Sequence, residues 1–236
     1  MAESVPVPDK DTVYQMSFSD ISPDTEPGQL VKRLDDRIQE ILQEGVNRFF
    51  QPLDTIEKQL DMCYFNAWGE IRSVDTFARQ IMGLGANHVE LKRGLCRQIH
   101  EEIEHFKLYR ECAIRMGGQD MMTLPPPKAS IEMFDYCDQV SPDSLESVLS
   151  CQFCTEKGAI VWFKAALEKS PNMDPDFRAV IESIMPDEYF HVSNGRAAAL
   201  ILANQGEEKR VRVVRLCSDA VWFTMQNIVG GSTIVV

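Results

Sequence analysis

The sequence predicts an all-helical protein: a bundle of four long helices, with accessory helices near both ends of the chain and one long crossover connection. Apolar residues recur at the three- and four-residue spacing of helices through most of the chain. No segment alternates convincingly with the two-residue period of a strand. Glycine and proline pairs interrupt the periodic stretches at intervals suited to long helices. At 236 residues the chain can bury one core as a single domain.

The elements follow in order along the chain. Residues 1–28 are predicted to be an irregular arm, and residues 29–236 a single helical domain. Gly83-Leu-Gly85 and Gly117-Gly118 are typical helix ends, and Pro171-Asn172 ends a later helix. Residues 119–142 contain Pro125-Pro126-Pro127, are too proline-rich for a continuous helix and are predicted to form the long crossover connection, after which Ser141-Pro-Asp143 opens the next helix. The predicted helices cover residues 29–49, 53–82, 88–116, 141–170, 174–204 and 207–229.

Composition excludes several classes of function. The net charge is −12 and no stripe of Lys and Arg is present, which argues against nucleic-acid and anionic membrane partners. No apolar run approaches a membrane span, and residues 1–28 lack the pattern of a secretory signal. Seven cysteines, an odd number spread through helical segments, indicate reduced thiols. We therefore expect a cytoplasmic protein.

The most specific motif is a repeated Glu-x-x-His. It occurs at Glu102/His105 and at Glu188/His191, and a further glutamate, Glu70 or Glu156, lies 32 residues before each copy. On antiparallel helices joined by a short turn, this spacing places the paired residues at one level, roughly 20 Å from the bundle end. The sequence thus predicts two matching triads deep in the bundle.

The helical neighbours of these glutamates indicate that they face the core. Positions three, four and seven residues away are apolar or uncharged, apart from each motif's own histidine. Glu104, by contrast, is surrounded by charged residues typical of a solvent face. Four buried carboxylates without partners would be very unfavourable, and two divalent cations would offset that cost. The predicted ligands are Glu70, Glu102, His105, Glu156, Glu188 and His191.

The chemistry of the predicted ligands indicates which metal ions to expect. Oxygen-rich ligation with one imidazole per ion suits iron or manganese better than zinc. We expect Glu102 and Glu188 to bridge the two ions and each histidine to bind one. The expected cofactor is two Fe, with Mn/Fe or Mn as alternatives.

At these residues the chain resembles the ferritin-like diiron-carboxylate superfamily. The resemblance runs from Glu70 to His191, about half of the chain. It implies a ferritin-like four-helix bundle and an O2-dependent diiron enzyme, an oxygenase or oxidase acting on a small organic substrate. The alternative is a ferritin- or rubrerythrin-like ferroxidase or peroxide-scavenging iron protein. No flavin or ferredoxin motif is visible, so an external electron donor is expected unless the substrate supplies the electrons, and a homodimer is left open.

Four other residues are candidate partners that orient the ligands. The resemblance implies that Asp187 holds a ligand histidine, and Glu101 occupies the equivalent position in the first motif. Tyr109 lies four residues after His105, and Gln152 lies four residues before Glu156, so each is one turn from a ligand. Ordinary core packing is the alternative for Tyr109, and hydrogen bonding to backbone is the alternative for Gln152.

Overall fold

The computed structural model describes residues 8–140 and 144–230, and the regular secondary structure of these residues is entirely helical. The prediction of an all-helical chain is confirmed. The α-helices are α1 (Lys10–Ser17), α2 (Pro27–Phe49), α3 (Ile56–Gly83), α4 (Val89–Arg115), α5 (Lys128–Gln139), α6 (Ser144–Val148), α7 (Glu156–Lys169), α8 (Pro175–Ala203) and α9 (Glu207–Gly230). A short 3-10 turn, Met121–Thr123, precedes α5.

The long helices begin and end close to the predicted positions because local signals define their ends. The Thr55 side chain accepts a hydrogen bond from the backbone N–H of Lys58 and caps α3. Asp174 caps α8 in the same way, with Pro175 at the first helical position. After α4, Gly117 adopts a φ of 86°, a conformation that glycine tolerates best.

Two segments differ from expectation. The predicted arm contains the helix α1, whose N-terminus is capped by the side chain of Asp9. The predicted crossover connection contains the helix α5, which was not among the predicted helices. The three prolines end just before Lys128, and Met133, Phe134 and Cys137 then bury one helical face. The predicted start of the next helix at residues 141–143 lies outside the described residues.

The segment Leu149–Thr155 is a π-helix that joins α6 to α7 without a break. Its wider turn changes the direction in which the following side chains point, compared with a continuous α-helix. Glu156, one of the predicted ligands, is the first residue of α7. The π-helix therefore sets the orientation of this carboxylate.

The helices that carry the predicted ligands pack against one another. α3 lies along α4, and α8 contacts α4, α7 and the π-helical segment, while α2 and α9 pack across this group from outside. On α8, Phe177–Ile184 contribute to one apolar cluster and Val192–Ala203 to another. Glu188 and His191 lie between these clusters near the middle of the helix, so the site is deep in the bundle.

In the part of the chain that the structure describes, no helix is both long enough and apolar enough to cross a membrane. All seven cysteines are free thiols, and only Cys96 is exposed.

Candidate metal centre

Four helices bring the six predicted ligands to one place. Glu70 comes from α3, Glu102 and His105 from α4, Glu156 from the start of α7, and Glu188 and His191 from α8. The side chains of Glu102, Glu188, His105 and His191 are almost fully buried. The two imidazole rings face each other across the site with 5.9 Å between their centroids.

The first group of donor atoms comprises Glu70, Glu102, His105 and Glu188, with one atom from each lying within 4.8 Å of the others. His105 Nδ1 is 3.1 Å from Glu102 Oε2 and 3.9 Å from both Glu70 Oε2 and Glu188 Oε1. Three carboxylates and one imidazole nitrogen thus surround a common point.

The second group comprises Glu102, Glu156 and His191, again within 4.8 Å of one another. His191 Nδ1 is 3.2 Å from Glu102 Oε1 and 3.2 Å from Glu188 Oε2. Glu102 belongs to both groups, and Glu188 approaches both histidines. This arrangement suits the bridging role predicted for Glu102 and Glu188.

The Nε2 atom of each histidine points away from the donor groups and lies close to an acid on the other of the two helices α4 and α8. His105 Nε2 is 3.4 Å from Asp187 Oδ2, and His191 Nε2 is 3.0 Å from Glu101 Oε2. Arg97 lies between the two acids, with Nε 2.6 Å from Glu101 and a terminal nitrogen 3.5 Å from Asp187. The acids therefore fix both rings so that each Nδ1 points into the site.

Gln98 also orients the carboxylates. Its Nε2 donates to Glu102 Oε1 at 3.2 Å and to Glu156 Oε1 at 3.1 Å, while its Oε1 accepts a hydrogen bond from Asn194. The side chain is completely buried. Its position one turn before Glu102 was the sequence signal for this role.

The other two candidates behave differently. Gln152 does not hydrogen-bond to a ligand. Its Nε2 donates to Gln80 Oε1 at 2.8 Å, because Gln152 lies in the π-helix and is turned away from Glu156. Tyr109 is fully buried with its ring near Phe177, and its hydroxyl lies beside the Asn66 side chain and makes no hydrogen bond to a predicted ligand. Burial raises the pKa of Tyr109 well above its ordinary value, so the hydroxyl stays protonated.

The electrostatics of the site reflect crowded negative charge. Burial, reinforced by the charge of Glu102, raises the pKa of Glu70, and burial together with the charge of Glu188 raises the pKa of Glu156. Burial opposes ionisation of Glu102 as well, but the two histidines lower the pKa of Glu102 to about 2. The negative charge in turn raises the pKa of His191, although burial opposes this. Without a cation, the cluster can only balance its charge by holding protons.

The donor set fits two divalent metal ions. Carboxylate oxygens and imidazole nitrogens are ligands that iron and manganese accept. No ion pair between Lys or Arg and any of the four glutamates is found in residues 8–140 and 144–230, so within these residues only the two histidines pair with them. Both histidines have the carboxylate partner on the remote nitrogen that is usual for metal-bound imidazoles.

A cavity of about 150 Å3 adjoins the carboxylates. It lies between α3 and α7, with α5 and α9 completing its walls, and Glu70, Glu102, Glu156 and Glu188 form part of its lining. An apolar pocket walled in part by Phe163 was expected from the sequence, but part of the observed wall comes from α5 and α9, which carry no ligand. Only the packing of these helices onto the bundle reveals it.

The chain is similar to known proteins in structure and not in sequence family. No protein-family model matches the chain, and neither does any curated protein. Among solved structures, a TenA homolog from Pseudomonas syringae pv. tomato str. DC3000 is similar, with a TM-score of 0.59 and 11% sequence identity. The match covers 86% of this chain and 92% of that one. The chain therefore has an all-helical fold similar to that of the TenA homolog.

This finding corrects the resemblance to the ferritin-like diiron-carboxylate superfamily, which is wrong. It also removes the basis for the oxygenase or oxidase function and for the ferroxidase or peroxide-scavenging alternative. The physical reason is that Glu-x-x-His specifies the geometry of a single helical turn and a 32-residue spacing specifies a hairpin. Neither determines how the remaining helices are connected and packed.

Proposed function

We propose that this protein is a metal-dependent enzyme that holds two iron or manganese ions and acts on a small molecule bound beside them. The ions would be held by Glu70, Glu102, His105, Glu156, Glu188 and His191. The observation that carries this proposal is the convergence of the six side chains, from four helices, into two donor groups that share Glu102. Such ions supply Lewis acidity and, where they are redox-active, electron transfer.

The cost of burying the carboxylates supports the same conclusion. A buried carboxylate is expensive unless it is paired with a cation or protonated. Here Glu102 and Glu188 are about 2% exposed, and Glu102 lies within hydrogen-bond distance of both histidines. A core that served only for stability would be better filled by apolar residues of similar size.

The adjoining cavity favours an enzyme over a protein that only stores or carries metal. It gives a small molecule access to Glu70 and Glu156, which lie on its surface. The residues of the chain have separate parts in this site. Gln98 orients two carboxylates, and Glu101 and Asp187 hold the imidazoles.

Metal stoichiometry tests the proposal. The metal-free protein is loaded with Mn2+, and separately with Fe2+ under anaerobic conditions, and the bound metal is measured after desalting. We expect two ions per chain for the wild type. Glu156→Ala should lose one of them, and Glu102→Ala should lose both because Glu102 belongs to both donor groups.

Glu104→Ala is the matched control, because Glu104 lies on α4 two residues from Glu102 but is exposed and pairs with Lys107. This variant should retain both ions. Failure of the wild type to bind either metal, or equal metal content in Glu102→Ala and Glu104→Ala, would refute the proposal.

A further inference from the structure

The first residue of α1, Lys10, contacts both α5 and α9, the two helices that form part of the cavity wall without carrying a predicted ligand. Its ammonium lies 5.2 Å from the ring centroid of Tyr136 on α5, 5.1 Å from that of Trp222 and 4.1 Å from that of Phe223 on α9. At these distances an ammonium is attracted by the π electrons of the rings. One cation thus contacts three rings that come from two helices.

These rings lie next to residues that line the cavity. Tyr136 stacks on Phe223 with 4.5 Å between the ring centroids, so the stack joins α5 to α9. Tyr136 is one helical turn after Met133, and Phe223 is one turn before Asn227. Met133 and Asn227 both line the cavity, and Asn227 Nδ2 donates to Met133 Sδ at 2.7 Å. Separation of α5 from α9 would therefore break these contacts and open one side of the cavity.

The N-terminal half of α1 is held by charged and hydrogen-bonding groups. None of the residues described in α1 is buried. Besides the contacts of Lys10, Trp222 Nε1 donates a hydrogen bond to the carbonyl oxygen of Pro8 at 2.7 Å, and Asp11 pairs with Arg215 at 2.6 Å. The Asp11 side chain is 82% exposed, and exposed ion pairs contribute little to stability. Because elements with few buried apolar contacts open at a low free-energy cost, α1 can detach while the bundle stays folded.

The chain that follows α1 is anchored, in contrast. Phe18 is completely buried, and Ile21 is 7% exposed. The Arg37 guanidinium on α2 donates to both carboxylate oxygens of Asp20, at 3.1 and 3.0 Å. Since only the C-terminal end of α1 is fixed in this way, the helix can pivot about Phe18.

We infer that α1 is a strap that closes one side of the cavity. Lys10 clamps α5 to α9, and its release lets these helices separate so that a small molecule enters. The inference describes how access to the site is controlled, and it rests on the proposed function. The strap consists of α1, α5 and α9, which carry no predicted ligand, so its test does not depend on the metal centre.

Hydrogen exchange followed by mass spectrometry tests the strap on the metal-free and the Mn2+-loaded protein. Lys10→Met removes the charge and keeps the length of the side chain. We expect the amides of α1, α5 and the second half of α9 to exchange about fivefold faster, which corresponds to about 1 kcal/mol of lost contact. Lys10→Arg keeps a cation over the rings and should behave like the wild type. Lys32→Met is the control, because Lys32 is an exposed lysine on α2.

Fluorobenzene is the ligand probe, since a cavity of about 150 Å3 accommodates a benzene-sized molecule. Its rate of entry, measured by fluorine NMR, should rise in Lys10→Met as much as the hydrogen exchange of α5 does. Faster exchange confined to α1, an unchanged rate of entry, or no binding of fluorobenzene to the wild type would overturn the inference. Metal content is measured for every variant. Failure of the wild type to bind metal would refute the proposed function, whereas the exchange of α5 decides on the strap.

Discussion

At the scale of single residues, the orientation of the two histidines depends on two acids that are not themselves predicted ligands. Glu101 and Asp187 each contact the outward nitrogen of the histidine on the other helix, and Arg97 links the two acids. Burial opposes ionisation of Glu101, but the hydrogen bonds from His191 and Arg97 lower the pKa of Glu101. The acid is therefore charged and able to hold the imidazole in one orientation.

Replacing Glu101 by glutamine should weaken metal binding without changing the number of sites. A neutral amide holds the His191 ring less firmly, and changes of this kind cost about 10- to 100-fold in metal affinity. Competition with a chelator of known affinity measures the change, and Asp187→Asn should act similarly through His105. Unchanged affinity in both variants would show that the acids have no positioning role.

Asp219 on α9 should make stability depend on pH. Burial raises the pKa of Asp219, although Arg215, Lys10 and Arg212 oppose the shift. Because the folded protein holds this proton more tightly than the unfolded chain does, the contribution of Asp219 to stability is greatest at low pH. It is lost as the pH rises through the pKa of the folded state.

The Asp219→Asn variant has no ionisable group at this position, so it does not lose stability in this way as the pH rises. Relative to the wild type, its free energy of unfolding should therefore increase between pH 4 and pH 7, as measured by urea denaturation at each pH. A constant difference across this range would contradict the assigned shift.

At the scale of helices, the contact between α8 and the π-helix positions Glu156. Gly195 on α8 lies against the backbone of Phe153 and Gln152, and a Cβ there would be 2.6 Å from the carbonyl carbon of Gln152. Backbone atoms cannot move aside as a flexible side chain can. The close approach of the two elements therefore requires a glycine at this position.

Gly195→Ala should destabilise the protein by about 1–3 kcal/mol, the usual cost of overpacking. Gly69→Ala is the matched control, since its methyl group meets open space, and it should stabilise α3 slightly. Thermal unfolding followed by circular dichroism measures both. Similar melting temperatures for the two variants would show that α8 and the π-helix can separate at little cost.

At the scale of the whole molecule, metal binding should stabilise the fold, because the ligands come from four helices and meet only in the folded state. The free energy of unfolding should rise by about 2.7 kcal/mol at a free metal concentration one hundred times the Kd. Calorimetric melting with and without Mn2+ measures this, and a chelator should reverse it. Glu102→Ala should show no metal-dependent rise, whereas an equal rise in this variant would locate the binding elsewhere.

The sequence by itself determined the helical class, most helix ends and the six candidate ligands. Helical periodicity, capping residues and the repeated Glu-x-x-His are local properties, so they can be read without knowing which helices touch. The helix α5 was missed because the prolines before it outweighed the spacing of Met133, Phe134 and Cys137. The assignment of the six residues as metal ligands stays a prediction for the loading experiment.

Only the tertiary structure decided how the helices surround these ligands and that the fold is similar to that of a TenA homolog. Contacts between residues far apart in the chain decide three features of the site. An acid on each of α4 and α8 holds the histidine of the other helix, Gln152 hydrogen-bonds to Gln80, and a cavity forms at Asn66. Such contacts result from the packing of apolar helix faces, and these faces can pack together in many different arrangements of the helices. A ligand motif within one helical turn therefore predicts the chemistry of a site, while the connection of helices around it is decided by long-range packing.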